Sequence, residues 1–194
     1  MKLEEYDNDD GKKVWLTEDE VSAFIATADD TETRIAFSLA ARCGLRVAEV
    51  VDVTPPDIVD TPAGKRVRVR SGKGGKTRDS PLPQELAATI GAYADVRDAG
   101  PDTPLVDKST RTVERWVSRA AETRLAETDE FGYQFLDFHD LRRSWGTLLV
   151  HDDVEPGLIM EWGGWESWRT FRDAYLGAYS PKAERTQIQK VGWL

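Results

Sequence analysis

From Arg66 to Arg70 the chain alternates strictly, Arg66-Val67-Arg68-Val69-Arg70, inside a sequence whose other periodic segments repeat at helical spacing. Strict alternation describes a half-buried strand, here with valines on one face and arginines on the other. Gly72, Gly74 and Gly75 supply a hairpin turn, and Thr77 to Leu82 reads as the returning strand, edged by prolines. The fold must therefore seat a small antiparallel sheet between helical segments.

Upstream, Thr17 and Glu20 have the spacing of a capping box, with Leu16 placed to staple onto Val21. Val21, Phe24, Ile25 and Ala28 then recur at i, i+3, i+4 and i+7, an amphipathic helix. A second helix is expected from about Thr33 to Cys43, stopped by Gly44. A short third runs through Val47, Val50 and Val51 to Pro55-Pro56. After Pro83 the chain is helical to about Arg97. Another helix starts near Ser109 with Val113, Trp116, Val117 and Ala120 inward. Arg111, Arg115 and Arg119 share its other face at i, i+4 and i+8. From His139 onward, short helices are broken by Gly163-Gly164 and Pro181. Helices, a small antiparallel sheet, then helices make an α+β domain that is mainly α.

At 194 residues the chain suits one domain, or a domain with a small appendage. Residues 1–13 are polar and acidic, a solvated leader rather than a signal peptide. No apolar run approaches membrane-spanning length. A single cysteine, Cys43, excludes an internal disulfide and fits a reducing cytoplasm. With only His139 and His151 beside it, no zinc cluster of soft ligands can form, and no metal site is expected.

The charge is −9, from 35 Asp and Glu against 26 Lys and Arg, and the isoelectric point is about 4.8. At face value this opposes nucleic-acid binding. Yet Gly64 to Arg78 holds Lys65, Arg66, Arg68, Arg70, Lys73, Lys76 and Arg78 and no acid, so the rest of the chain carries −16. Such a run either decorates a solvated face or forms an anion-binding surface. Gly75-Lys76-Thr77 looks like the end of a phosphate-binding loop, but Arg70 stands where that motif needs glycine. No helix can follow through Pro81 and Pro83.

Four further segments are ordinary one by one. Gly44-Leu45-Arg46-Val47-Ala48-Glu49 places an arginine just after a helix stop with a glutamate one turn on, the pattern of a surface ion pair. His139 and Arg142 stand at i and i+3. Trp165 follows Gly163-Gly164, and Tyr175 and Tyr179 lie one turn apart, where aromatic residues usually pack a core. Taken in order, the segments resemble the catalytic domain of the tyrosine recombinase (phage integrase) family, from Leu16 to Tyr179. The family pattern has an arginine in a GLRxxE segment, a lysine in a glycine-rich hairpin, an HxLR segment, a His or Trp after glycine, and a tyrosine about nine residues later. Here these fall on Arg46 with Glu49, Lys73, His139 with Arg142, Trp165, and Tyr175. Nine residues after Trp165 stands Ala174, so Tyr175 implies a one-residue insertion, and Tyr179 is the fallback nucleophile. Trp165 replaces the histidine of many relatives, and an indole donates a hydrogen bond without shuttling a proton.

The resemblance implies a catalytic domain over 14–179, acting on double-stranded DNA as a site-specific recombinase without metal, ATP or other cofactor. Arg46 and Arg142 would bind the scissile phosphate, Lys73 would protonate the leaving 5′-oxygen, and Trp165 would add a donor. His139 would accept the tyrosine proton or hold the phosphate, and Glu49 would orient Arg46 and His139. Arg66, Arg68, Arg70, Lys76 and Arg78 on the hairpin, and Arg115 and Arg119 on the Ser109 helix, would contact DNA. The tail, 180–194, would dock on a neighbouring subunit of a homo-oligomer, a tetramer on DNA. A type IB topoisomerase-like enzyme and a non-catalytic DNA-binding regulator are the alternatives. The acidity, with nine lysines to seventeen arginines, resembles proteins of extreme halophiles.

Overall fold

The computed structural model describes residues 1–6, 9–70, 77–175, 185 and 188–193, with side chains for all of these except 6, 9, 10 and 173–175. Helices dominate, and the two small sheets are antiparallel.

The second helix is the centre. α1 (Glu18–Ala26) begins with the expected capping box: Glu20 N–H donates to Thr17 Oγ1, and Thr17 N–H donates to Glu20 Oε2 at 2.8 Å. α2 (Thr31–Cys43), capped by Asp30, buries nine of its thirteen residues, so it is enclosed on nearly every side. α1, α3 (Val47–Asp52), α4 (Gln84–Val96), α5 (Thr110–Thr128) and α6 (Phe138–His151) all pack on it. Gly44 ends α2 at φ +66°, and a Cβ there would lie 2.2 Å from the Trp145 ring. Both facts call for glycine.

The sheet holds three strands, β3 (Ile58–Thr61), β4 (Gly64–Val69) and β5 (Arg78–Pro81), in that order. Val67 and Val69 are buried, as the alternation requires, and Arg68 lies opposite Asp79. β3 was not expected. Its four residues, Ile-Val-Asp-Thr, are too short to show a period, and only pairing with β4 defines it. Ser80 Oγ donates to the Cys43 carbonyl at 2.6 Å and ties β5 to the end of α2.

The solvated leader expected over 1–13 is corrected by the structure. β1 (Lys2–Tyr6) and β2 (Asp9–Trp15) form an antiparallel pair with Lys2 opposite Trp15. β2 is fastened to α6, since Val14 N–H donates to Asp140 Oδ1 and Leu16 N–H donates to Ser144 Oγ. These strands pair charge with charge, Lys13 on Glu4 and Lys12 on Glu5, so no apolar alternation marks them in the sequence.

α7 (Pro156–Gly163) and α8 (Trp168–Tyr175) close the described domain over a second apolar cluster: Trp145, Val150, Ile159, Trp165 and Phe171. No helix among the described residues is long and apolar enough to cross a membrane.

Candidate active site

α6 begins at a reciprocal cap: Asp140 N–H donates to Asp137 Oδ1 at 2.9 Å, and Asp137 N–H donates to Asp140 Oδ2 at 3.0 Å. This fixes the start of the helix that carries His139 and Arg142. The two differ in exposure. His139 is open to solvent, whereas Arg142 is the largest fully buried side chain of the described residues. The Arg142 guanidinium donates to the carbonyl of Gly44, which caps α2, and at 2.6 Å to that of Gly163, which ends α7. Two helix C-termini, each presenting unpaired carbonyl dipoles, thus hold one cation. Neutral carbonyls bind the guanidinium without cancelling its charge.

The Trp165 ring lies under that guanidinium, 4.2 Å from Cζ, and packs on Trp145 and Phe171. A Cβ on Gly163 would fall 2.1 Å from the Trp165 ring, so glycine is what lets the indole close on the arginine. The sequence suggested an indole that donates; the structure adds one that stacks.

Arg46 opens α3, two residues beyond the Gly44 carbonyl. Its amide donates to Glu49 Oε2 and its Nη1 to Glu49 Oε1, both at 2.8 Å. Burial by itself would raise the Glu49 pKa. The bonds and charge of Arg78, then those of Arg46, outweigh it and hold the carboxyl at about 2. The His139 pKa is pushed down to about 4 by the protein packed against the ring, then by the charges of Arg143, Arg142 and Arg46, against an opposing pull from Asp137. At neutral pH this histidine is uncharged.

The basic hairpin is less open than its composition suggested. Arg68 makes a fork-to-fork pair with Asp79 at 3.0 and 3.1 Å, and Arg70 meets the buried Asp57 at 2.5 Å. Lys65 pairs with Asp60, and Arg66 stacks 5.2 Å over Trp162. Arg78, expected among the DNA contacts, is turned inward and bonded to Glu49 and to the Trp162 carbonyl, a correction. A signal for this was present: Leu82, Ser80 and Arg78 alternate on one face, and the first two are buried. Arg66, Arg68, Arg78 and Trp162 border an open cleft of about 520 Å³. On α5, Arg111, Arg115 and Arg119 are exposed, and no carboxylate among the described residues pairs with them. Lys73, Lys76 and Tyr179 lie outside the described residues. Tyr175 ends α8, and its side chain is likewise outside them.

The sequence model of the phage integrase family matches residues 14–180. A tyrosine recombinase of Thermosipho africanus is 30% identical over 155 residues, covering 76% of this chain and 51% of that protein. Tyrosine recombinase XerA of Thermococcus kodakarensis is 31% identical over 148 residues, 75% of this chain and 52% of that one. The crystal structure of a XerA recombinase superposes with a TM-score of 0.72 at 25% identity, over 91% of this chain and 64% of that one. The chain spans about half the length of the two curated relatives.

Proposed function

The chain belongs to the phage integrase family, and on that premise we propose that it cuts and rejoins double-stranded DNA as a site-specific recombinase. The observation that carries this reading is convergence. Arg142 bonds the carbonyls of Gly44 and Gly163, so three segments far apart in sequence meet around one buried cation, with Arg46 two residues away.

In this reading the Tyr175 oxygen attacks phosphorus, a 3′-phosphotyrosyl bond forms and the bond to the 5′-oxygen breaks. The new ester conserves the energy of the old one, so rejoining requires no ATP. Arg46 binds the phosphate oxygens, whose charge grows in the transition state, and Arg142, enclosed by the Gly44 and Gly163 carbonyls and the Trp165 ring, joins it as DNA binding opens that enclosure. Trp165 adds a donor and steadies Arg142. Lys73 gives its proton to the 5′-oxygen, help that is typically worth about 10²–10⁴-fold. His139, uncharged at neutral pH, accepts the tyrosine proton or a phosphate contact. A bound phosphodiester sets a negative charge against its cations and restores part of its basicity.

The catalytic unit is 14–179. Arg115 and Arg119 make the open DNA contacts, joined by Arg66 and Lys76, and by Arg68 and Arg70 when phosphates replace their carboxylates. The segment 180–194 docks on a neighbouring copy in a tetramer on DNA, and the protein works in the cytoplasm. The acid-rich surface supports a high-salt setting, in which activity at molar KCl exceeds that at about 0.1 M.

The decisive assay is a nicked suicide duplex. The expected result is a covalent protein–DNA adduct that is lost in Tyr175→Phe and kept in Tyr179→Phe. An adduct surviving Tyr175→Phe moves the nucleophile to Tyr179, and no adduct on any duplex turns the reading toward a binding-only protein.

A further inference from the structure

Among the described basic residues between Gly64 and Arg78, one is in the interior. The Arg78 side chain is 7% exposed, and Glu49 beside it is 6% exposed. Arg78 donates through Nη1 to Glu49 Oε1 at 2.8 Å, through Nη2 to Oε2 at 2.6 Å, and through Nε to the Trp162 carbonyl at 2.9 Å. Glu49 receives two further bonds from Arg46, its Nη1 on Oε1 and its amide on Oε2. Each carboxylate oxygen therefore accepts once from each arginine. The charges do not match: one carboxylate faces two guanidiniums, and the trio keeps one positive charge.

The geometry points to Arg78 as a positioning residue for Arg46. It engages Glu49 from inside the protein, so the surplus charge stays on Arg46, the more exposed of the two at 27%. This rests on the reading that Arg46 meets the scissile phosphate. Without Arg78, Glu49 would pair one to one with Arg46, whose guanidinium would then reach the phosphate with its charge cancelled. The effect is large here because the pair is shielded from water, where opposite charges interact far more strongly than at the surface.

The bond to Trp162 fixes position as well. The next carbonyl along, that of Gly163, holds Arg142. Arg78 and Arg142 thus grip consecutive carbonyls at the end of α7, and Arg46 is joined to the same frame through Glu49. Both phosphate-binding arginines take their place from one helix terminus.

The test compares wild type, R78Q, E49Q/R78Q and R78K. Two quantities are read: the single-turnover rate of covalent adduct formation on a pool of nicked suicide duplexes of random sequence, and the affinity for a short fluorescent duplex by anisotropy. R78Q is expected to slow adduct formation about 10–100-fold and to weaken binding about three- to tenfold. E49Q/R78Q gives Arg46 an uncancelled charge again and is expected to recover about tenfold of the lost rate, together with the affinity. A purely structural role gives the opposite order, because the double variant has lost both buried partners. R78K keeps the charge against Glu49 but cannot reproduce the fork and the bond to Trp162, so its rate is expected to fall between those of wild type and R78Q while its affinity stays within about threefold of wild type. A double variant no faster and no tighter than R78Q overturns the assignment. If R78Q does not fold by circular dichroism, a folded R78K whose duplex affinity falls more than about threefold overturns it instead, since its charge against Glu49 is kept. If wild type itself forms no adduct, the recombinase reading fails, and the affinity series still decides the role of Arg78.

Discussion

The arginines of the sheet and those of α5 are the same residue in two electrostatic settings. On the sheet each has an occupation: Arg68 on Asp79, Arg70 on Asp57, Arg78 on Glu49, and Arg66 over the ring of Trp162. On α5, Arg111, Arg115 and Arg119 stand in solvent with no paired carboxylate among the described residues. Local density of positive charge is therefore a poor guide to where an anion will bind. The described cations of the densest run are mostly engaged by the protein's own groups, and the sparser row is the available one.

The contrast can be broken at several points. The largest expected effect is on acid stability. The Glu49 pKa lies at about 2 in the folded protein against 4.5 ordinarily. Its contribution is therefore complete above pH 4.5 and is lost as the pH falls toward 2, on the order of 3 kcal/mol by linkage. Urea unfolding of wild type and Glu49→Gln at pH 7 and pH 3 should show most of the pH 7 difference vanishing at pH 3. His139 acts in a higher window: its folded pKa is depressed, so its share is lost as the pH falls from 6.5 toward 4.

Next is Arg70→Ala, which leaves Asp57, 2% exposed, without its ion-pair partner. Denaturant midpoints should register a loss of about 1–3 kcal/mol. Arg115→Ala and Arg119→Ala should behave in the reverse way, with stability unchanged within about 0.5 kcal/mol. Duplex binding should weaken about three- to tenfold for each, with the salt slope falling by about one contact. A stability loss in the α5 variants, or an undiminished salt slope, would erase the distinction. The smallest effect is expected from Arg68→Ala, whose pair with Asp79 is exposed, so that its thermal melting curve should overlay that of wild type.

What could be read in the sequence followed from local rules. The α1 cap, the Gly44 stop, the valine face of β4 and the arginine face of α5 are each set by residues within a few positions of one another. What escaped depended on distance along the chain. β1 and β2 hide their pairing in complementary charges, and β3 is too short to carry a period. Of the partners of the hairpin's described cations, Glu49, Asp57 and Asp60 precede it in sequence and Asp79 follows it, so a count over Gly64 to Arg78 records the sign and misses the balance. The same counting takes every acid as surplus, although some of those carboxylates are internal counter-ions. Of the candidate site, the sequence offers residue types at ordered positions. That Arg142 would be buried, and Trp165 folded beneath it, was not legible there, because both follow from close contact between α6 and α7.

The carbonyl grip on Arg142 has a genetic consequence. Its two anchors are backbone atoms, which no codon change can delete, so side-chain drift around the site leaves them in place. Heritable variation reaches them chiefly through two glycine codons, and at each the first added carbon runs into an indole, Trp145 at Gly44 and Trp165 at Gly163. Most missense changes at those two positions should therefore be lost to selection together. Surviving lineages should carry a compensating change in the facing tryptophan.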